Sequence, residues 1–369
     1  MSENKDKKSA ITDARAKELR EKIYSLCSLP SVSGFECKSA DIVKKSYGEL
    51  FDSVETDAVG NIILFKSSKK PNAVKIMVDA HYDEIGFVVT EVLDGGFLRL
   101  ANIGGVDRAI MQAADVVVYG LTTLRGVITS VPPHLRGDSE KLPDMENMLV
   151  DVGLGYSKDE LEKIVPIGTP VGFDPLPFEL LNNRISGGSF DNKACGAMAI
   201  LALAETPSSS LAGDVYLTLS CREETAGRGG AYVSANRIAP DYAMAIDVNL
   251  ANAPDVPSRE SVEMGKGISI SYSSSTDRAL TRAFADICAD KDIGVSKKAE
   301  PSSTGTNAVA INIASLGIPV VDVGLPLRNM HTYNEIIALE DCETLCRAVK
   351  EFVTSDELAE KFAKEEFTL

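Results

Sequence analysis

The sequence predicts an α/β protein: a central, mostly parallel sheet flanked by helices and interrupted by a small inserted β-domain. Three observations predict it. Nearly continuous apolar runs such as VKIMVDA (74–80) and YAMAIDV (242–248) suit strands buried on both faces, as in parallel sheets. Segments with helical spacing alternate with these runs. Between residues 84 and 173 the alternation stops, and short β-like runs separated by Gly and Asp take over.

In chain order, helical spacing covers Thr12–Leu26 and Glu36–Leu50, on either side of the turn SVSG (31–34). NIILF (61–65) and the run at 74–80 follow as strands. The runs at 85–93, 96–105, 115–123 and 124–131 are short strands, and SKDELEKIV (157–165) is a helix. The Pro- and Gly-dense stretch PIGTPVGFDPLP (166–177) reads as the returning linker. The chain therefore divides into a catalytic α/β domain, 1–82 plus 174–369, and a β-rich insert at 83–173. Helices at 192–206, 229–238, 275–293 and 339–355 then alternate with strands at 214–220, 242–248 and 318–325.

Bulk properties exclude several functions. A net charge of −16 argues against nucleic acid and anionic membranes, which both need a basic footprint. No run approaches the ~18 apolar residues of a membrane span. The charged N-terminal stretch lacks the apolar core of a signal peptide. Seven cysteines, odd in number and without a CxxC, suit a reducing cytoplasm. Cys342 and Cys346, four apart on one helix, read as packing residues.

In open α/β sheets, ligands gather beyond the carboxyl ends of strands. Metal-capable side chains recur at that location: His81 and Asp83 after one strand, Glu223 and Glu224 after another, Asp247 at the end of a third. His331 follows the last strand, and Asp191 stands just before a helix. Singly, Asp191 is an ordinary helix cap and Asp247 a turn residue. Together they suit two divalent metals that share an activated water, with one carboxylate bridging and another free as general base. Adjacent Glu223 and Glu224 at a strand end repel each other unless cations stand beside them.

The stretches HYDEIGF (81–87), SFDNKACG (189–196), REETAGRGGA (222–231), AIDV (245–248), MGKGISI (264–270) and LPLRNMHTYNEII (325–337) also carry a resemblance. In order and context they resemble the tetrahedral (glutamyl/leucyl) aminopeptidase family of dinuclear-metal exopeptidases, some of whose relatives are labelled endoglucanases. The resemblance spans Leu26 to Val353. It implies that His81 and Asp247 hold one metal, Glu224 and His331 the other, and that Asp191 bridges them. Glu223 would be the general base and Asp83 would orient His81. It further implies a cis peptide bond at Asp191–Asn192, zinc (or cobalt or manganese) as the metal, short peptides as substrates, and a tetrahedral dodecamer built from dimers through the insert.

Two positions depart from the family pattern: Asn307 where aspartate is common, and Lys193 where arginine is frequent. His134 and Cys195 read as structural residues. A glycosidase and a non-catalytic peptide-binding assembly are the competing functions. The first needs two carboxyls flanking a glycosidic bond, about 5–9.5 Å apart; the second should have lost a ligand.

Overall fold

The computed structural model describes residues 11–135, 143–153, 155–174, 176–225, 229–254 and 256–364. Helices α1 (Asp13–Cys27) and α2 (Cys37–Tyr47) lead into strands β1 (Ser53–Thr56), β2 (Ile62–Lys66) and β3 (Lys75–His81). Next come β4 (Gly86–Leu93), β5 (Phe97–Ile103), β6 (Asp115–Tyr119), β7 (Thr123–Ile128) and β8 (Leu149–Asp151). Helix α3 (Lys158–Ile164) and β9 (Pro170–Phe173) complete that group, and the hairpin β10 (Phe178–Leu180), β11 (Arg184–Gly187) follows. Helix α4 (Phe190–Glu205) precedes β12 (Asp214–Ser220), α5 (Gly229–Ile238) and β13 (Tyr242–Leu250). The remainder is β14 (Ile268–Ser273), α6 (Arg278–Asp290), β15 (Val295–Glu300), α7 (Ala308–Asn312), β16 (Val320–Leu327), β17 (Glu335–Ala338), α8 (Leu339–Thr354) and α9 (Asp356–Phe362).

Eight strands form the main sheet, in the order β1-β2-β12-β3-β13-β16-β14-β15. The central four, β12, β3, β13 and β16, run parallel, so their carboxyl ends lie on one edge. Their sequences are apolar at nearly every position because both faces are covered. Helices α1, α4, α6 and α8 bury one face around Leu19, Ile200, Leu217, Phe284 and Leu345. Helices α5 and α7 cover the other around Met77, Ala235, Ala245 and Ile311.

Strands β4 to β9 close a six-stranded barrel with its own core, which includes Phe87, Leu98, Val116, Val150 and Val171. The stretch read as a linker supplies the closing strand β9, which pairs with both β4 and β6. Its Pro170 is tolerated because it opens the strand, where a missing N–H breaks little of the ladder. Strands β14 and β15 were not anticipated either. Their sequences, ISISYS and VSKKAE, are too polar for the buried-strand pattern. Among the described residues no helix is long and apolar enough to cross a membrane. All seven cysteines are free, and Cys342 and Cys346 are buried in the main core.

Helix α4 leads away from the sheet edge, and its far end is held by one ammonium. Lys66, at the end of β2, donates from Nζ to the carbonyls of Leu203 (2.6 Å) and Thr206 (2.7 Å). These are among the last carbonyls of the helix, which have no partner within it. Lys66→Met keeps the stem but orphans both carbonyls, and should cost about 1–3 kcal/mol. Urea unfolding monitored by circular dichroism would check this, and an unchanged midpoint would count against the capping role.

Candidate active site

The parallel registers bring the predicted side chains to one place. His81 ends β3 opposite Ser220 of β12, and Glu223 and Glu224 lie just past that strand. Asp247 stands opposite Gly324 on neighbouring strands. His331 follows β16 in a left-handed backbone conformation (φ 61°). Asp191 lies in the first turn of α4 with non-helical backbone angles, and its peptide bond to Asn192 is cis, as expected. The Asn192 amide donates to the carbonyl of Ile246 (2.7 Å), tying this turn to the strand that carries Asp247.

Two imidazoles face a shared set of carboxylates. His81 Nε2 lies 3.2 Å from Asp191 Oδ1 and 3.6 Å from Asp247 Oδ1. His331 Nε2 lies 3.6 Å from the other Asp191 oxygen, Oδ2, and 3.5 Å from Glu224 Oε2. Ligand atoms of His81, Asp191 and Glu224 fall within 4.8 Å of one another, close enough to hold one cation. His81 Nδ1 sits 3.1 Å from the carbonyl oxygen of Asp83. Donating there keeps Nε2 free to act as a ligand.

Asp83 has a second task. Its Oδ1 accepts the amide N–H of Glu223 (3.0 Å) and its Oδ2 that of Glu224 (3.1 Å). One carboxylate therefore fixes the turn that carries both glutamates. Residues 226–228 of the Gly-rich stretch lie outside the described residues.

The electrostatics describe a site that calls for positive charge. Burial, then the neighbouring carboxylates, push Glu223 up to about 8. The same causes raise Glu224 further, with Asp191 the leading neighbour. Burial also raises Asp247. For His81, burial opposes the charged form, but Asp191 and Asp247 outweigh it and hold its pKa well above normal. Asp83 is the exception: burial would raise it, yet His81 and the amide donors hold it below the usual range. Imidazole nitrogen and carboxylate oxygen are the donors a divalent transition metal takes.

The profile of the M42 glutamyl aminopeptidases matches residues 60–347. The chain belongs to that family. It is 31% identical over 328 residues to the lysyl aminopeptidase of Pyrococcus furiosus, covering 87% of this chain and 92% of that one. An aminopeptidase structure from Desulfurococcus kamchatkensis superposes with a TM-score of 0.86 at 29% identity, covering 96% of this chain and 99% of the other. The Pyrococcus horikoshii TET1 peptidase, described as assembling into a tetrahedron or a large octahedral shell, gives 0.79 at 27% identity, covering 91% and 99%. The chain is a metal-dependent aminopeptidase, and so a peptide hydrolase.

Within this M42 peptidase the departures from pattern find their places. Lys193 is fully buried and donates to Leu29 O and Glu84 Oε2, both at 2.8 Å, a point-charge contact where arginine would offer a fork. Asn307 donates to Asp79 Oδ2 (2.8 Å) and Ser220 Oγ (2.9 Å). A second carboxylate there would face Asp79, whose carboxyl burial already pushes up to about 7. Cys195 is buried with Sγ near the Asp247 carbonyl, and burial raises its pKa well above normal, so its thiol is inert. His134 is exposed in a short 3-10 turn.

Two contributions escaped the sequence reading. Glu335, buried at the head of β17, accepts the Asp191 amide at 3.1 Å and also those of Phe190 and His331. It joins the two segments that carry Asp191 and His331. Its trace in the sequence is slight, a charge heading a short apolar run. The barrel also reaches in: a Cβ on Gly105 would stand 2.9 Å from His331 Nδ1, so a larger residue there would push the ring aside.

A pH prediction follows. Glu223 ionises at 4.5 in an ordinary setting and at about 8 in the cation-free fold. A raised acid stabilises the fold below its unfolded pKa, and that contribution is lost as pH climbs through the folded value. Chelated protein should therefore melt at progressively lower temperature from pH 5 to pH 9, while metal-loaded protein declines less. Parallel melting curves with and without chelator would contradict it.

Proposed function

We propose that this chain removes N-terminal residues from short peptides using two divalent cations, with Glu223 moving the proton. The observation that carries the reading is the Asp191 carboxylate, one oxygen facing His81 and the other facing His331. A carboxylate presented in this way suits a bridge between two cations. On this reading His81 and Asp247 hold one ion, Glu224 and His331 the other, and Asp191 both. The donor set suits zinc first, and cobalt or manganese also. What the cations supply when bound is Lewis acidity toward the scissile carbonyl and toward a water.

Glu223 then takes the attacking water's proton and delivers it to the departing amine. Its carboxylate is half-buried and carries none of the imidazole contacts that engage Glu224. Because Asp83 holds both amides, base and ligand keep a constant relation. A glycosidase would need two carboxyls flanking its bond, and neighbours on one turn do not suit that. No observation favours the non-catalytic reading.

The division into an α/β domain and an insert at 83–173 belongs to this reading, with the barrel serving dimerisation. Exposed Leu121 and Ile167 on the insert, and Leu176, Phe178 and Leu181 beside it, support burial against further copies. A dodecameric shell, as in the TET1 relative, would admit short peptides and exclude folded proteins. A cytoplasmic location accords with seven free thiols. The family description names glutamate and the Pyrococcus furiosus relative lysine, so the preferred residue falls to this chain's own cavity.

Two outcomes are expected. Glu223→Gln should keep two metal equivalents and lose about 10²–10⁴-fold in kcat on an aminoacyl nitroanilide; wild-type turnover would remove Glu223 as the base. Glu335→Ala should weaken metal binding by about 10–100-fold in a chelator competition assay, because the amides of Asp191 and His331 lose their common acceptor. Unaltered metal affinity would confine Glu335 to the fold.

A further inference from the structure

Strands β14 and β15, at the sheet's edge, carry a buried polar face that the packing of the fold leaves unexplained. On β14, Ile268 and Ile270 join the main core, while Ser269 and Ser271 turn the other way and are equally buried. On β15, Lys297 and Ala299 are exposed while Lys298 and Glu300 are largely covered. Next to them on β16, Asp322 pairs with Ser271 and is 2% exposed. A sheet face that only had to pack would be apolar, as the same face is at Met77 of β3 and at Ala243 and Ala245 of β13.

These residues wall a cavity of about 450 Å³ that opens directly from His81, Asp191, Glu224 and His331. Its far side is formed by Asn249, Ser271, Lys298, Glu300, Thr304 and Asp322. That volume suits one long side chain. Gly324 stands between the two ends, and a Cβ there would lie 2.3 Å from Ser269 Oγ.

The charges on the far wall do not balance. Lys298 Nζ is already answered, by Glu300 Oε1 at 2.8 Å and Asn249 Oδ1 at 2.7 Å. Asp322 has no cation beside it. Its donors are the hydroxyls of Thr304 and Thr306, and its charged neighbours are the acids Asp247 and Glu300. Two carboxyls against one ammonium leave Asp322 without a cationic partner at the cavity. Burial, with Asp247 and Glu300 alongside, raises its pKa well above normal, so its ionised form needs a cation beside it. An incoming glutamate would have to displace Glu300 from Lys298, and a leucine would desolvate charged groups without pairing them.

We propose that this cavity receives the side chain of the peptide's first residue, and that Asp322, with Glu300, selects lysine or arginine there. The proposal rests on the aminopeptidase reading above. Asp322 acts as a specificity residue: its carboxylate completes a charge pair only with a cationic side chain, and aliphatic or acidic residues forfeit that pair.

The test uses the metal-loaded full chain on lysyl, arginyl, leucyl and glutamyl 4-nitroanilides. Wild type should show kcat/KM for lysyl and arginyl substrates about tenfold or more above the other two. Asp322→Asn should lower those two by about tenfold or more and leave the leucyl substrate largely unchanged. Wild type favouring the glutamyl or leucyl substrate overturns the proposal. So does an Asp322→Asn variant that slows all four equally, since Asp322 would then serve the shared α-ammonium or the fold. Should that variant not fold, inhibition of the wild type by lysine amide against norleucine amide decides, with tighter lysine amide expected and the reverse overturning it. Hydrolysis of none of the four sinks the aminopeptidase reading as well, which sets that failure apart.

Discussion

Five carboxylates, those of Asp83, Asp191, Glu223, Glu224 and Asp247, crowd around two imidazoles at one end of a parallel sheet. Left to themselves they repel, and burial makes each charge more expensive. The rest of the structure reads as the means of holding that arrangement until cations offset it. Asp83 is the hinge of the solution. It stays ionised by accepting two backbone amides and facing His81, and so gives a charge-stabilised base to the Glu223–Glu224 turn.

Each element at the sheet edge contributes one constraint. The parallel registers align the ends of β3 and β12, so His81 and the glutamate turn arrive together. Helix α4 brings Asp191 from outside the sheet, and Asn192 fastens it to β13. Strand β17 pairs with β11, placing Glu335 opposite Gly187 and within reach of the amides before and after the cluster. From the barrel, Gly105 packs against the His331 ring. The barrel's core also receives Tyr333, two residues past His331, so the insert packs against the segment that carries this histidine.

The cavity beyond the cluster is built on a different principle. Its wall includes the last two strands of the sheet, β14 and β15, whose inward face is hydroxyl and charge rather than methyl. Such a face costs folding free energy unless each group is paired. Lys298, Glu300 and Asn249 pair among themselves. Asp322 keeps only hydroxyl donors, and in that respect the wall faces outward to a ligand.

The sequence by itself determined the fold class and the interrupted α/β order, and it offered the seven candidate side chains that the structure brings to one place. The runs are legible because parallel strands are buried on both faces; the polar residues are ambiguous singly and gain meaning as a set at the sheet's carboxyl ends, reinforced by the motif resemblance. The stretch 166–177 reads as a linker although it supplies β9, since Pro and Gly mark linkers and Pro also stands at the first residue of a strand. Strands β14 and β15 were illegible for a deeper reason: a polar strand becomes recognisable only when its partners and its cavity exist. Glu335 and Gly105 likewise carry no periodic signal, because each acts on a distant segment, Glu335 on the Asp191 turn and Gly105 on His331. Pairing between distant segments was decided by tertiary structure alone. It turned Asp83 from a neighbour of His81 into the anchor of two glutamates, and set Asp322 at the end of a cavity rather than within an ordinary apolar strand.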